Sequence, residues 1–288
     1  MLPSAALVRA AVSAARWMPP PLFRALGTLA GSVGWLVAAR RRRTIRKNLA
    51  HLTAGNGTAS RHHGSAKVFR QLFEDASDLF RLPALSRTAI LDLVETKGLD
   101  ELRRAQASGR GVIVVTPHLG PYELGGAVLA LLGFAVHGLV EDIDPDTNAA
   151  LAAYRAATGL QLLSRNTGLR QLYRLLTQGS IVLLVADRMV GGGEGLVVPF
   201  GDAAREVPTG PAAFALATGA PIVPGYIVRG PRGAPRYVLH VDPAIEPDGH
   251  TKESLTRLVA SRLETFIRAH PDQWYVFQPD WRARDGRP

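Results

Sequence analysis

From residue 111 onward the sequence alternates short apolar runs with helical segments, and that alternation restricts the possible folds more than any other feature. GVIVVTP is followed by YELGGAVLALLG, then by FAVHGLVE, DTNAALAAYRAATG, LQLL, TGLRQLYRLLTQG and SIVLLVAD. Strand and helix repeating at this spacing predict an α/β fold, a mostly parallel central sheet covered by helices on both faces. Strand-rich sequence resumes at PIVPGYIV and RYVLHVDPAI. Near the end, Leu255, Leu258, Val259, Leu263, Phe266 and Ile267 recur at helical spacing, so TKESLTRLVASRLETFIRAH is expected to be an amphipathic helix whose stripe is core rather than site. At 288 residues and 47% hydrophobic content, the chain can bury one large domain of this kind.

The charge is unevenly placed. The net charge is +10, yet the first 73 residues carry 12 Lys or Arg and no Asp or Glu. Those charges surround apolar sequence: ALGTLAGSVGWLVAA, residues 25 to 39, runs directly into Arg40, Arg41, Arg42 and Arg43, with Arg46 and Lys47 just beyond. A helix over that stretch reaches only about 22 Å, short of the ~30 Å hydrocarbon core of a bilayer. A secretory signal fits poorly as well, because its positive charges should precede the apolar run. The leading reading is an interfacial anchor, with apolar residues in the headgroup region and arginines on anionic lipid phosphates; a core helix with a solvated basic end, or a true span, are the alternatives. Nucleic acid is not the expected partner, since the basic region lacks the aromatic interleaving that stacks bases. HLTAGNGTASRHHGS, from His51 to Ser65, reads as a loop. The expected division is thus a membrane-associating region over 1–50 and a catalytic domain over 51–288.

Cysteine is absent, which removes thiolate nucleophiles and cysteine-ligated zinc, and no Gly-x-Ser-x-Gly elbow is present. No metal or cofactor is expected. The chemistry-bearing segment is HLGPYE after the strand GVIVVTP, with His118 and Glu123 five apart across a turn and a helix start. In an open α/β sheet, reactive groups gather beyond the carboxyl ends of strands. A neutral imidazole there can take a hydroxyl proton near pH 7, and a carboxylate on its second nitrogen fixes the tautomer. His118 is expected as base and Glu123 as its orienter. A second pair at the same spacing, His137 and Asp142, falls on an extended run whose residues five apart point to opposite faces. The GGGEG run at Gly191 to Gly195 lacks the Lys and Ser/Thr of a phosphate-binding loop and reads as a lid or donor-binding loop.

TPHLGPYELGG resembles the His-x4-acid motif of the lipid A biosynthesis lauroyl/myristoyl acyltransferase family, which includes the actinobacterial phosphatidylinositol mannoside acyltransferases. The resemblance runs from Arg46 to Trp281: RKNLAHL is similar to the family's Arg-x-Asn-Leu segment, VLLVADRMVGGGEGLVVPFGDAAREVPTGPAAFALATGAPIVP to its central block, and PDQWYVF to its Pro-x-x-Trp segment. It implies a glycerol-3-phosphate acyltransferase-like α/β fold, catalysis by His118 with Glu123, and acyl-CoA or acyl carrier protein as thioester donor. It also implies a glycolipid acceptor at the cytoplasmic face of the inner membrane, a phosphatidylinositol mannoside first, with lipid A or a lysophospholipid as the alternatives, and with attachment peripheral or monotopic. Glu141 resembles the second carboxylate of the mannoside branch and stands as an alternative or an assistant to Glu123. Arg155 is similar to an arginine near the family's active site. Arg165, ahead of a predicted helix, is a further phosphate-binding candidate. Asp187 and Arg188 stand where the family has a comparable acid, and Asp187 is expected to organise a loop or support the site. Pro121 and Tyr122 replace the Asn-Trp that the family commonly carries, which alters the pocket beside the imidazole.

Overall fold

The computed structural model describes residues 5–53, 58–140, 157–189, 193–231 and 235–283. Its centre is a seven-stranded sheet in the order β1-β9-β8-β2-β5-β3-β4. The strands are β1 (Val94–Lys97), β2 (Val112–Thr116), β3 (Val136–Val140), β4 (Gln161–Ser164), β5 (Ile181–Val185), β8 (Ile222–Arg229) and β9 (Tyr237–Val241). Every neighbouring pair is parallel except β8–β9, which is antiparallel. The expected mostly parallel α/β sheet is therefore present. The central strand β2 is buried at all five positions, consistent with its uninterrupted VIVVT.

Helices line both faces. The helices α5 (Arg87–Leu91), α6 (Leu99–Ala107) and α7 (Tyr122–Leu131) share one core cluster with the β1–β9 end of the sheet, whereas α8 (Arg165–Thr177), α9 (Gly210–Thr218) and α10 (Lys252–Ala269) pack on a second. The expected C-terminal amphipathic helix is α10. Leu255, Val259, Leu263, Phe266 and Ile267 are buried, and Thr251 and Ser254 close a reciprocal capping box at its start.

Two features depart from the sequence reading. GLVVPF and AAREVP form a hairpin, β6 (Gly195–Phe200) and β7 (Ala203–Pro208), extended to a three-stranded antiparallel sheet by β10 (Trp281–Arg282). The expected loop from His51 to Ser65 is mostly helix: α3 (Ala39–Leu52) runs through its first two residues, and α4 (Thr58–Arg81) takes up its second half. Gly, Ser and Thr disfavour helix only weakly, and packing against neighbouring helices overrides that preference.

The N-terminal helices α1 (Ala5–Trp17) and α2 (Pro20–Val37) precede α3, and α2 lies along α4 at close range. A Cβ on Gly31 would stand 2.7 Å from the Phe69 carbonyl oxygen, so only glycine permits this approach. On the opposite side of α2, Leu22, Leu26, Leu29, Val33 and Leu36 are all exposed, a continuous apolar stripe with 3–4 residue spacing. Arg42 donates to the Trp35 and Leu36 carbonyls, 2.5 and 2.8 Å away, at the C-terminal end of α2, where the helix dipole favours a cation. No single helix among the described residues is long and apolar enough to cross a membrane, and α2 meets α3 at 95°. The expected boundary at residue 50 falls inside α3, whose Asn48 binds the Val276 carbonyl at 2.8 Å.

Candidate active site

The site begins with register. In the parallel pair β2–β5, Thr116 lies beside Val185. Two residues past each strand end stand His118 and Asp187, level with each other at the carboxyl edge of the sheet. The pairing extends beyond the strands, since the Ala186 N–H donates to the Thr116 carbonyl at 3.0 Å. His118 Nδ1 is 2.6 Å from Asp187 Oδ1, and the His118 backbone N–H donates to Asp187 Oδ2 at 3.1 Å. An ionised carboxylate only accepts hydrogen bonds, so Nδ1 carries the proton, and in the neutral ring Nε2 holds the free lone pair.

Asp187 is fully buried (0% exposed), whereas 13% of the His118 side chain reaches solvent. Burial by itself raises the Asp187 carboxyl. The His118 charge, with hydrogen bonds from His118 and from the Trp274 indole, overcomes that and holds it at about 2. The indole bond runs from Trp274 Nε1 to Asp187 Oδ2 at 2.7 Å.

The C-terminal segment that delivers Trp274 is zipped onto the loop bearing the histidine. The Tyr275 N–H donates to the His118 carbonyl at 2.8 Å, and the Gly120 N–H donates to the Gln273 carbonyl at 2.9 Å. Gly120 has φ of +56°, and a Cβ there would fall 2.2 Å from the Ile227 carbonyl oxygen. Gly120→Ala is therefore expected to destabilise the protein by about 3 kcal/mol, through backbone strain plus the shift of a packed strand. Urea denaturation of the purified variant measures it; a loss below about 1 kcal/mol would show that the loop is not held as described.

Farther back, the same segment is tied to α4. Tyr275 and Tyr237 both donate to Asp75, which also receives Arg229 Nη2 at 2.5 Å. Burial lifts the Asp75 carboxyl to about 6, with Arg229 acting in the opposite direction. Asp78 receives Tyr237 at 2.7 Å, Arg236 just ahead of β9, and Arg24 of α2 at 2.6 Å. A chain of polar contacts thus runs from the helix with the exposed apolar stripe to the C-terminal segment that braces the imidazole.

Beneath α7 lies a narrow apolar pocket, lined by residues including Thr116, Tyr122, Gly125, Leu183, Ile227 and Leu239. Tyr122 joins the pocket to the histidine, its ring 5.3 Å from the imidazole in an edge-on arrangement. The substitution that separates this chain from the commoner Asn-Trp pattern therefore sits directly on the imidazole.

The other expected site residues are distributed as follows. Glu123 is in the first turn of α7, and the described bond to Nδ1 of His118 comes from Asp187 instead. Glu141 and Arg155 lie outside the described residues, as does Asp142. Arg165 begins α8, and its side chain is likewise outside the description. Arg188 follows Asp187, with Nη1 3.4 Å from the Met189 carbonyl oxygen. Of the GGGEG run, Gly195 opens β6 and Glu194 pairs with Lys252 at 2.5 Å. The backbone N–H groups of Tyr122 and Leu124 donate to Gly120 and Pro121 within the turn, so they are not open to a developing oxyanion. No His/Asp/Glu cluster among the described residues is arranged to hold a metal.

A histidine–carboxylate pair open on one side, beside an apolar pocket and an apolar helix, is equipped to move a proton for a lipid substrate. Residues 3–283 match the family model described as bacterial lipid A biosynthesis acyltransferase. The chain belongs to this family. Its relatives include the phosphatidylinositol mannoside acyltransferase of Mycobacterium tuberculosis, 29% identical over 214 residues, which span 72% of this chain and 66% of that protein. The lipid A biosynthesis palmitoleoyltransferase of Escherichia coli is 27% identical over 187 residues, 64% of this chain and 60% of the relative. The aligned part is thus just under two thirds of the length of these relatives. Among solved structures, the 1-acyl-sn-glycerophosphate acyltransferase of Thermotoga maritima matches with a TM-score of 0.44 and 13% identity, over 90% of this chain and all of that one. Within this acyltransferase family, the Arg-x-Asn-Leu and Pro-x-x-Trp segments of the present chain acquire a physical role. Asn48 accepts from Trp281 Nε1 at 2.7 Å and donates to Val276, and Trp274 bonds Asp187, so both segments fasten the C-terminal run behind the histidine.

Proposed function

We propose that the protein is a membrane-surface O-acyltransferase that moves a fatty acyl group from acyl-CoA or acyl carrier protein to a hydroxyl of a glycolipid, with a phosphatidylinositol mannoside as the favoured acceptor. The observation that carries the reading is His118, its Nδ1 bonded to a buried carboxylate and its Nε2 left for a substrate, with the Tyr122 ring between it and an apolar pocket. The preference for a mannosylated acceptor rests on the mycobacterial relative. Lipid A is the second acceptor class, on the strength of the Escherichia coli relative, and a lysophospholipid is the third.

Nε2 of His118 takes the proton of the acceptor hydroxyl as its oxygen attacks the thioester carbonyl. The new C–O bond forms and the C–S bond breaks. The imidazolium then protonates the departing thiolate, which leaves as the free thiol. Asp187 stabilises the imidazolium without taking its proton. The apolar pocket receives the acyl chain, and Tyr122 at its mouth aligns the thioester with the ring. Arg155, Arg165 and Arg188 are cations for the phosphates of donor or acceptor. Glu141 is proposed as a second carboxylate at the site. The exposed stripe of α2, with Trp17 beside it and arginines beyond its end, seats the protein in an anionic membrane surface, on the cytoplasmic side.

The test supplies palmitoyl-CoA to purified protein together with anionic vesicles containing a phosphatidylinositol mannoside, and reads the lipids by mass spectrometry. A product heavier by one palmitoyl group is expected. The variant carrying Leu29→Asp and Leu36→Asp is expected to lose at least about tenfold in transfer to vesicle-borne acceptor while keeping its rate on acceptor in detergent micelles. No acylated product from any of the three acceptor classes would overturn the enzyme reading. Equal rates of the variant on vesicles and micelles would overturn the anchor.

A further inference from the structure

Among the described residues, Arg205 is a charge that burial makes costly to maintain. It lies in β7 with no exposed surface, and its Nε, Nη1 and Nη2 have no hydrogen-bond partner. Asp280 Oδ2 stands 4.0 Å from Nη2 and is itself half exposed. The guanidinium is held between two indoles, 5.1 Å from the Trp274 ring centre and 4.9 Å from that of Trp281. Cation–π contact offsets part of the desolvation of a buried guanidinium, but an apolar side chain of similar size would ordinarily fill such a slot at less expense.

What distinguishes the slot is the other end of Trp274. The indole that faces Arg205 with its ring donates its N–H to Asp187, which in turn holds His118. While the imidazole is neutral, Asp187 is a buried anion at the indole N–H, and Arg205 is a buried cation over the ring of the same indole. The pair is close enough for the Asp187 charge to favour the charged form of Arg205, against burial that lowers it. We propose that Arg205 is a positioning residue that acts on His118 through Trp274 and Asp187. Its fixed charge balances the carboxylate in the resting state and opposes protonation of the ring. The ring is thereby kept free to accept a hydroxyl proton and, once charged, is a stronger acid toward the departing thiolate. This rests on the reading of His118 as the general base.

The other charged and titratable groups around this arrangement come from every neighbouring element. Asp187 and Arg188 end β5, and Arg188 opposes the charge of Arg205. Asp280 comes from the C-terminal run. Glu206, next to Arg205 in β7, is paired with Arg282 at 2.5 Å, and His51, whose ring lies 4.4 Å from that of Trp281, is paired with Asp202 at 2.6 Å. Glu123 and Tyr122 belong to the helix beside the imidazole. Arg205 differs from all of them in being a wholly buried cation without a hydrogen bond of its own.

The test reads His118 directly, by NMR titration of ring-labelled histidine, with the resonance assigned by its loss in His118→Gln. In Arg205→Met the titration midpoint is expected to rise by about one pH unit, as for loss of a unit charge several ångströms away, whereas Arg205→Lys should keep it within about 0.3. Asp280→Asn removes only a half-exposed counter-charge and should move the midpoint the other way, by a few tenths at low salt. An unmoved midpoint in folded Arg205→Met overturns the proposal. If that variant does not fold, the same rise is expected in Arg205→Gln, and an unmoved midpoint there overturns it. Thiol release from palmitoyl-CoA with acceptor vesicles is followed in parallel. Absence of release in the unmodified protein would defeat the acyltransferase reading, and the NMR midpoint would still decide the role of Arg205.

Discussion

Replacing His118 with glutamine is expected to lower acyl transfer by about a thousandfold or more, while the variant keeps its thermal stability and its binding to vesicles. General base catalysis by a positioned imidazole accounts for about 10²–10⁴ in rate, and here the same ring also serves as the acid for the thiolate. Stability should change little because the ring lies at the open edge of the sheet, 13% exposed, and His118 is held mainly through its backbone, by Asp187 and Tyr275. Glutamine can still donate a side-chain N–H to Asp187, so the buried carboxylate is not left bare. The measurement compares initial rates of palmitoyl transfer in detergent, where membrane attachment plays no part. A residual rate above about a tenth of the unmodified enzyme would remove the imidazole from the chemistry, whatever the fate of the rest of the site.

The central sheet was legible because its strands are local, uninterrupted apolar runs, and VIVVT and IVLLV announce buried strands without help from distant residues. His118 was legible for the same reason, standing just past such a run. The identity of its partner was not. Sequence spacing favoured Glu123, five residues on, but a helix start intervenes, and the neighbour across the sheet is set by strand order, which linear spacing does not encode. A usable signal did exist: VTPH and LVAD both place a polar residue two positions beyond a buried strand, and two adjacent parallel strands make those positions level.

Trp274 stood out only as part of a Pro-x-x-Trp segment, and nothing local pointed to its bond with Asp187, which joins residues 87 apart. Arg205 reads in isolation as a solvated charge on a strand. It becomes a buried cation only because β10 returns from the far end of the chain and places Trp281 over it. The hairpin of β6 and β7 was obscured by the glycine run ahead of it, although Gly201 and Asp202 between two six-residue runs form a recognisable two-residue turn. The apolar N-terminal helix α2, in contrast, was visible in the sequence as an uncharged run ahead of arginines, with no acids nearby. Its continuity with the domain, through Gly31 against α4 and Arg24 on Asp78, was not.

The choice of carboxylate yields the second large effect: Asp187→Asn is expected to lower transfer by about a thousandfold, and Glu123→Gln by at least tenfold less. An Asn at position 187 can still accept one hydrogen bond through its amide oxygen. Its NH2 would then confront the Trp274 indole N–H or the proton on His118 Nδ1, both donors in the present arrangement. The ring responds by placing its proton on Nε2, which leaves no lone pair for the acceptor hydroxyl, and a developing imidazolium loses its counter-charge. Glu123 faces no such conflict at Nδ1, because that nitrogen is already taken by Asp187. Acid stability offers an independent reading of the same carboxylate. Its folded value of about 2 lies below the ordinary range near 4, so its contribution to stability is present above pH 4 and lost as the pH falls through 2. Asp187→Asn should therefore be less stable than the unmodified protein at pH 5, and the gap should narrow toward pH 2 in calorimetric or denaturant titrations. If Glu123→Gln proves the more damaging of the two in rate, with Asp187→Asn near full activity, the imidazole is oriented from the helix side and Asp187 is a structural acid only.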